Sequence, residues 1–158
     1  MTVEEYKKLL KSRLNEKRYY HSLCVADEAM RLSDIYGADR NKMYLAGLLH
    51  DVTKNCSFEE QLQILEDSAI ILSDSEKASP DIWHAVTGSE YLKHRLYIDD
   101  EDIISAVRYH TTGKADMTLP QKILFVADLT SKDRTYDDIE EIRRKADVSL
   151  DEAMLDIL

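Results

Sequence analysis

Glycine and proline are scarce in this 158-residue sequence, which contains four glycines and two prolines. We find no linker rich in these residues and no internal repeat, so we expect a single domain. Cysteine is also rare, because Cys24 and Cys56 are the only two and form no Cys-x-x-Cys pair. We interpret both as small apolar residues of a reduced cytosolic protein rather than as a disulfide.

Long hydrophobic runs are missing. The longest stretches without Asp, Glu, Lys or Arg, such as residues 43–50, span eight residues, whereas a membrane-spanning helix needs about 20. Residues 1–11 are charged and lack the apolar segment of a secretory signal. We therefore expect a soluble, cytoplasmic protein without a membrane partner.

The sequence also has no excess of basic over acidic residues. Lys and Arg total 21 against 31 Asp and Glu, which gives a formal net charge of −10. Binding to a nucleic-acid backbone rests on a basic surface, so this balance argues against a nucleic-acid partner. A small anionic substrate still fits if a metal or a basic pocket reverses the local field. The sequence leaves open whether the chain is a monomer or a homodimer.

Helix-start signals recur along the chain. At four places a hydroxyl residue precedes Glu or Gln by three positions, an arrangement in which two side chains satisfy the first backbone amides of a helix. These capping boxes are predicted at residues 2–5, 57–60, 118–121 and 149–152.

Other segments also read as helices. Apolar spacing predicts a helix over residues 18–36 that ends at Gly37. Asp39 is predicted to cap a helix that runs through Thr53, and Asp99 one that runs to about His110. Ser79, with Pro80 at the first helical position, is predicted to begin a helix that runs to about Leu96. No run alternates β-branched with polar residues as a strand would. We predict an all-α bundle of about seven to nine helices, with a loop over residues 110–118.

Four of the five histidines are predicted to face the core. His21 shares a helical stripe with Val25, and His110 ends a stripe that includes Val107. His50 follows the apolar run 45–49, and His84 is the fourth. The fifth, His94, lies in a charged stretch and is assigned to solvent.

Two aspartates are directed inward beside these imidazoles. Asp51 follows His50, and Asp128 follows the apolar run 123–127. Burying an ionised carboxylate without a partner costs several kcal/mol, and a bound cation would remove that conflict. Each residue alone also fits a simpler interpretation, a hydrogen-bonded core histidine or an aspartate at a helix end. Together they favour a metal site.

The order of these six residues resembles the HD superfamily of metal-dependent phosphohydrolases. His21, His50, Asp51, His84, His110 and Asp128 follow the pattern H-x28-HD-x32-H-x25-H-x17-D. The local motifs are similar to those of the YqeK family of symmetrical bis(5′-nucleosyl)-tetraphosphatases. They are RYYH at 18–21, AGLLHDVTK at 46–54, WHAVTG at 83–88, RYHTTG at 108–113, and AD at 127–128 followed by Arg134.

The resemblance implies a single HD-type hydrolase domain over residues 1–158, with a core at about 18–130 and C-terminal helices at 131–158 packed on it. It also implies a two-metal centre with a nucleotide diphosphate beside it. His21, His50, Asp51 and Asp128 would hold one metal, and His84 and His110 the second, with Asp51 bridging. Iron is the metal implied by the resemblance, and this ligand set also suits manganese, cobalt or zinc.

The reaction implied is hydrolysis of diadenosine tetraphosphate to two ADP molecules. Two cations about 3.5–4 Å apart can activate a bridging water and neutralise phosphoryl oxygens. The positive charge that neutralises the phosphates is assigned first to Lys54, then to Arg134 and Arg18. We expect Asp51, Lys54 and Arg134 to act in catalysis, and the substrate contacts to come from Arg18, Lys54, Thr111, Thr112, Gly113 and Arg134.

Two segments depart from the family pattern. Asp128 is followed by Leu129, Thr130 and Ser131 where many relatives have tyrosine, isoleucine and glutamate, and Lys114 stands where arginine is common. Neither segment contains a predicted metal ligand, so the departures bear on substrate choice.

Trp83, next to His84, is predicted to pack in the core, with stacking on a nucleobase as the alternative.

Three other functions stay open at this point. An HD nucleotidase acting on mononucleotides would share the metal site and differ in its pocket. A nucleotide-sensing or adaptor domain would keep the helical scaffold without turnover, although loss of ligands is its usual sign. A metal-free bundle with buried histidines is the third.

Overall fold

A computed structural model describes residues 1–157, and every regular element in that range is helical. The predicted all-α class is therefore confirmed. The ten α-helices of the described residues are α1 (Val3–Arg13), α2 (Glu16–Tyr36), α3 (Arg40–Leu49), α4 (Phe58–Asp67), α5 (Asp74–Lys77), α6 (Trp83–His94), α7 (Glu101–Arg108), α8 (Leu119–Thr130), α9 (Ile139–Val148) and α10 (Leu150–Ile157), with a 3₁₀-helix at Pro80–Ile82 before α6.

Most predicted helix boundaries are confirmed by their capping contacts. Thr2 and Thr118 form complete capping boxes, and the Ser57 side chain accepts a hydrogen bond from the Glu60 amide. Gly37 ends α2 with φ of +79°, in the left-handed region that glycine adopts without a steric cost. Asp39 caps α3 through the amides of residues 41 and 42.

Three boundary predictions were wrong. Asp100 rather than Asp99 caps α7, because its carboxylate accepts from the amides of residues 102 and 103. Ser79 makes no side-chain cap, since the chain enters α6 through the 3₁₀-helix. Helix α3 ends at Leu49, not at Thr53, because tighter bonds replace the α-helical pattern at residues 52 and 54.

The helix count was also underestimated. The described residues contain more helices than the seven to nine expected, partly because the four-residue α5 was overlooked. Its start is a complete capping box between Ser73 and Glu76. This box has the same hydroxyl-to-glutamate spacing as the four that were recognised, so the signal was present in the sequence.

The core forms around α2, which packs against α3 and α8, while α7 contacts α3, α6 and α8. Helices α2 and α3 approach closely at Gly47, where a Cβ atom would lie 2.8 Å from the Ala26 Cα. Helices α9 and α10 pack on α8 and on each other. A second, smaller cluster contains the buried Trp83, whose ring stacks on Phe58 at 5.2 Å, in agreement with its predicted core role.

No helix within residues 1–157 is long and apolar enough to cross a membrane. Both cysteines are free, Cys24 buried and Cys56 half-buried, as predicted from their positions.

Candidate metal centre

Five helical segments bring the six predicted metal ligands to one place in the core. His21 lies in the first half of α2, and His50 and Asp51 follow the end of α3. His84 is the second residue of α6, His110 follows the end of α7, and Asp128 lies in the last turn of α8. The five residues other than Asp128 are at most 6% exposed. The approach of α3 to α2 at Gly47 is what brings His50 beside His21.

The four imidazoles form a continuous row. Ring centroids are 5.4 Å apart between His21 and His50, 5.0 Å between His50 and His110, and 5.1 Å between His110 and His84. Each neighbouring pair meets edge to face. By contrast, the His94 side chain is 57% exposed and pairs with Glu90 on its own helix, as its polar surroundings predicted.

Every imidazole of the row has its Nδ1 atom engaged by an acceptor. His50, His84 and His110 donate to the backbone carbonyls of Gly47, Asp81 and Val107, each three residues earlier, at 2.7, 2.9 and 2.7 Å. His21 donates to a side chain instead, Oδ2 of Asp133 at 2.6 Å. An acceptor at Nδ1 fixes the ring orientation and leaves Nε2 available to bind a metal ion. All four Nε2 atoms are thereby directed to the same space.

The carboxylate of Asp51 spans the row. Its Oδ2 lies 3.2 Å from Nε2 of His50, and its Oδ1 lies 3.3 Å from Nε2 of His84 and 3.6 Å from that of His110. Oδ2 also accepts a hydrogen bond of 3.0 Å from Nη1 of Arg18. One oxygen therefore points to each half of the row, an arrangement suited to a ligand shared by two ions.

Asp128 occupies the other end of the row. Its Oδ1 lies 2.8 Å from Nε2 of His21 and 3.5 Å from Nε2 of His50. Arg134 donates two hydrogen bonds to this residue, from Nε to the Asp128 carbonyl at 2.8 Å and from Nη2 to Oδ1 at 3.1 Å. The arginine predicted to contact substrate is thus paired with a predicted metal ligand.

The buried charges shift each other's protonation strongly. Burial raises the pKa of Asp51 and Asp128, but the facing histidines outweigh it and hold both pKa values well below the usual range. Burial lowers the pKa of His50, yet the two carboxylates raise it to about 10. Without a metal, a proton on His50 therefore partly balances the two carboxylates.

The other residues predicted to contact substrate differ in burial and in hydrogen bonding. Lys54 is half-buried, and its charge helps burial to lower the pKa of His84, so it lies near the row. Thr111, next to His110, has a buried hydroxyl that makes no hydrogen bond with any residue of 1–157. Thr112 is exposed and donates to the Gly113 carbonyl instead, and Gly113 itself has φ of +64°.

Sequence reasoning missed the roles of three residues beside the row, although it had noted Ser131 as a departure from the family pattern. Asp133 accepts from His21, Ser131 donates to Oδ1 of Asp133 at 2.6 Å, and Arg143 donates to the carbonyls of Thr130, Ser131 and Arg134. No local motif marks them, because Asp133 and His21 are 112 residues apart and Arg143 acts through backbone atoms. Ser131, the departure from the family pattern, thus supports a carboxylate that touches the site.

The donor set fits a metal centre. Three groups of residues each offer three ligand atoms that lie within 4.8 Å of one another. The groups are His21, His50 and Asp51; His50, His110 and Asp128; and Asp51, His84 and His110. Nε2 of His50 is fully buried and, although close to two carboxylates, makes no hydrogen bond within the described residues. Such an atom costs free energy unless it binds something, and imidazole with carboxylate is a common ligand set for divalent transition metals.

Comparison with known proteins identifies the family. The HD domain model matches residues 18–133, a range that contains all six residues of the site. The chain belongs to the HD domain family. The His and Asp cluster of this HD domain therefore indicates a site for divalent metal ions.

Three relatives extend the likeness of this HD protein over nearly its whole chain. It is 35% identical over 157 residues to the symmetrical bis(5′-nucleosyl)-tetraphosphatase of Bacillus subtilis strain 168, covering 98% of this chain and 83% of that protein. Identity to the enzyme of the same name from Staphylococcus aureus is 36% over 159 residues, covering 99% and 81%.

The third relative is a solved structure. The crystal structure of a predicted HD superfamily hydrolase involved in NAD metabolism, from Clostridium acetobutylicum, superposes with a TM-score of 0.94 at 35% identity, covering 98% of this chain and 82% of that one. The backbone arrangement that assembles the histidine row is therefore shared with a predicted HD superfamily hydrolase.

Proposed function

We propose that this chain is a metal-dependent symmetrical bis(5′-nucleosyl)-tetraphosphatase, which hydrolyses diadenosine tetraphosphate and related dinucleotides to two nucleoside diphosphates. The observation that carries the proposal is the row of four histidines whose Nδ1 atoms are engaged and whose Nε2 atoms converge on two carboxylates. Two relatives at 35% and 36% identity have this name. The free cysteines fit the reducing cytoplasm in which we place the reaction.

In the proposed site, His21, His50, Asp51 and Asp128 would hold one ion, and His84 and His110 would hold the second, with Asp51 available to both. Iron is our first candidate, with manganese, cobalt and zinc suited to the same ligands. When bound, such ions supply activation of water near neutral pH and neutralise charge on the phosphoryl oxygens. Asp51 suits the shared position because its two oxygens face opposite halves of the row.

The chain's own cations would bind the polyphosphate. Lys54 forms no ion pair within residues 1–157, so its ammonium is available to a phosphate near His84. Arg18 and Arg134 reach the same carboxylates that would bind metal, and ion binding there would leave their guanidinium groups to phosphate oxygens. The buried Thr111 hydroxyl can donate to a phosphate oxygen, and Gly113 allows close approach of the backbone.

The proposed reaction balances as a hydrolysis. The oxygen of water forms a bond to one of the two central phosphorus atoms, and the anhydride bond between these phosphates breaks. The departing ADP carries away the bridging oxygen, and the proton released from water goes to solvent or product. Lys54 and Arg134 would stabilise the charge on the departing phosphate.

Product analysis tests this proposal. The chain, loaded with iron or manganese, is incubated with diadenosine tetraphosphate and the nucleotides are separated by chromatography. We expect ADP as the sole product. ATP with AMP would indicate asymmetric cleavage, and hydrolysis of mononucleotides alone would make the chain an HD nucleotidase. Absence of turnover with metal bound would leave a nucleotide-binding domain.

A further inference from the structure

His21 differs from the other three histidines in how its ring is held. His50, His84 and His110 lie at or next to helix ends, where backbone carbonyls three residues earlier accept from Nδ1. His21 is the sixth residue of α2, where the carbonyls are used by the helix itself. Its Nδ1 therefore needs an acceptor from elsewhere in the chain, and Asp133 supplies it at 2.6 Å.

Asp133 is itself held by a network of hydrogen bonds. The Ser131 hydroxyl donates to its second oxygen at 2.6 Å, which leaves Oδ2 aimed at His21. With Oδ1 taken by the Ser131 hydroxyl, Oδ2 is placed to accept from Nδ1 of His21.

The loop that carries Asp133 is fixed from α9. The Arg143 guanidinium donates to the carbonyls of Thr130, Ser131 and Arg134 at 3.0, 2.8 and 3.2 Å. Thr130 is the last residue of α8 and the other two carbonyls follow it, so none of the three accepts an α-helical hydrogen bond from α8. Arg143 lies outside the range matched by the HD domain model, whose last residue is Asp133.

We propose that Asp133 is a positioning residue of the metal centre, which keeps the His21 ring in the orientation that presents Nε2, and that Arg143 holds the Asp133 loop in place. The inference rests on the proposed metal site. Asp133 would not touch substrate or metal. By fixing the tautomer and orientation of the His21 ring, the carboxylate would strengthen metal binding.

Zinc binding by the full chain tests the proposal, because zinc is diamagnetic and binds the same ligands. We expect Asp133→Ala to lower the affinity for zinc by about 10- to 100-fold, the usual effect of removing such a partner. Asp133→Asn keeps an acceptor and should lose less. The exposed Asp137 is the matched control, and Asp137→Ala should bind zinc like the unaltered chain.

Nitrogen-15 spectra of the zinc-loaded histidines supply a readout that a general loss of stability would not give. In the unaltered chain His21 should be protonated at Nδ1 and bound to zinc through Nε2. In Asp133→Ala the His21 signals should change while those of His50, His84 and His110 persist. Arg143→Lys, which keeps the charge but loses the fork of donors, should shift the same His21 signals to a smaller extent.

The outcomes separate this inference from the proposed function. Equal zinc affinity and unchanged His21 signals in Asp133→Ala would overturn the role of Asp133 alone. If the unaltered chain binds no zinc, the metal site and this inference both fall. Should Asp133→Ala fail to fold, Asp133→Leu decides, because leucine has a similar size and no acceptor. A Leu variant with the affinity and the His21 signals of the unaltered chain would show that no acceptor is needed at Nδ1.

Discussion

Nη1 of Arg18 lies 3.0 Å from Oδ2 of Asp51, an aspartate that is 2% exposed. The guanidinium therefore occupies an oxygen that a metal ion in the proposed site would need. Arg18 was predicted from the sequence to bind substrate, and its position beside the site allows both a contact with Asp51 and a contact with phosphate. The two roles lead to opposite expectations for metal and for substrate.

Replacing Arg18 by glutamine should separate these roles. Metal binding should become several-fold tighter, because a competing positive charge beside Asp51 is removed. The KM for diadenosine tetraphosphate should rise about tenfold, since a charge-assisted contact with phosphate is lost. Zinc titration and steady-state kinetics measure the two effects. The exposed Arg144 is the matched control, and weaker zinc binding in Arg18→Gln would contradict a competing role.

Asp51→Ala should abolish both metal loading and hydrolysis. This carboxylate faces both halves of the histidine row, so no other single substitution removes a ligand from both proposed ions. Elemental analysis should find fewer than one ion per chain, and turnover should fall by at least about 1,000-fold. Glu90→Gln, at another buried carboxylate, should keep its metal. Unchanged metal content in Asp51→Ala would refute the shared position.

Metal binding should release protons and weaken as pH falls. Burial opposes charging of His50, but Asp51 and Asp128 raise its pKa to about 10, so the metal-free chain holds this proton at neutral pH. A metal ion at Nε2 must displace it, and the apparent affinity should therefore drop by about tenfold per pH unit for each proton released.

Calorimetric titration with zinc in two buffers of different ionisation enthalpy measures this release. The difference between the two observed heats, divided by the difference in buffer ionisation enthalpy, gives the number of protons released. We expect at least one proton, from His50, for each chain that binds zinc. His94→Ala, which removes the exposed histidine, should leave the difference unchanged. Identical heats in both buffers would mean that His50 is unprotonated before zinc binds.

Gly47→Ala should destabilise the fold although alanine favours helices. Its Cβ would lie 2.8 Å from the Ala26 Cα and 2.9 Å from the Val25 carbonyl oxygen, both backbone atoms that cannot turn away. We expect a loss of about 1–3 kcal/mol in the free energy of unfolding, because α2 and α3 must separate. Urea denaturation measures it.

Gly88→Ala is the matched control for that substitution. A Cβ at Gly88 meets Thr53 and Val107 at ordinary distances of 3.5 Å. This variant should be as stable as the unaltered chain or gain up to about 1 kcal/mol from helix propensity. Equal stability of the two variants would show that the helix contact at Gly47 yields more easily than its geometry indicates.

The parts of the fold that depend on local chemistry were predictable from the sequence. Capping by Thr2, Asp39 and Thr118 and the left-handed Gly37 involve side chains and amides within a few residues of each other. Apolar spacing likewise predicted that His21 and His110 point inward, because one helix face determines burial. Boundaries such as Asp100 depended on competition between adjacent aspartates, and here Lys42 pairs with the second of them.

The surroundings of the site could not be predicted in the same way. Residue types and order were enough to propose the six ligands, since buried carboxylates beside imidazoles need a cation. The Asp133 contact with His21 depends on how the loop after α8 folds back to α2, and its only sequence trace is an aspartate among 31 acidic residues. Arg143 contributes through three backbone carbonyls, which no side-chain pattern records.

The central claim is that a two-metal centre in this chain hydrolyses dinucleoside tetraphosphates, and one titration tests it most directly. Metal-free protein is titrated with manganese or with iron under reducing conditions, and both bound metal and ADP formed from diadenosine tetraphosphate are measured at each step. The account predicts that ADP production rises only as occupancy approaches two ions per chain. Full activity in metal-free protein, or two bound ions with no hydrolysis, would contradict it.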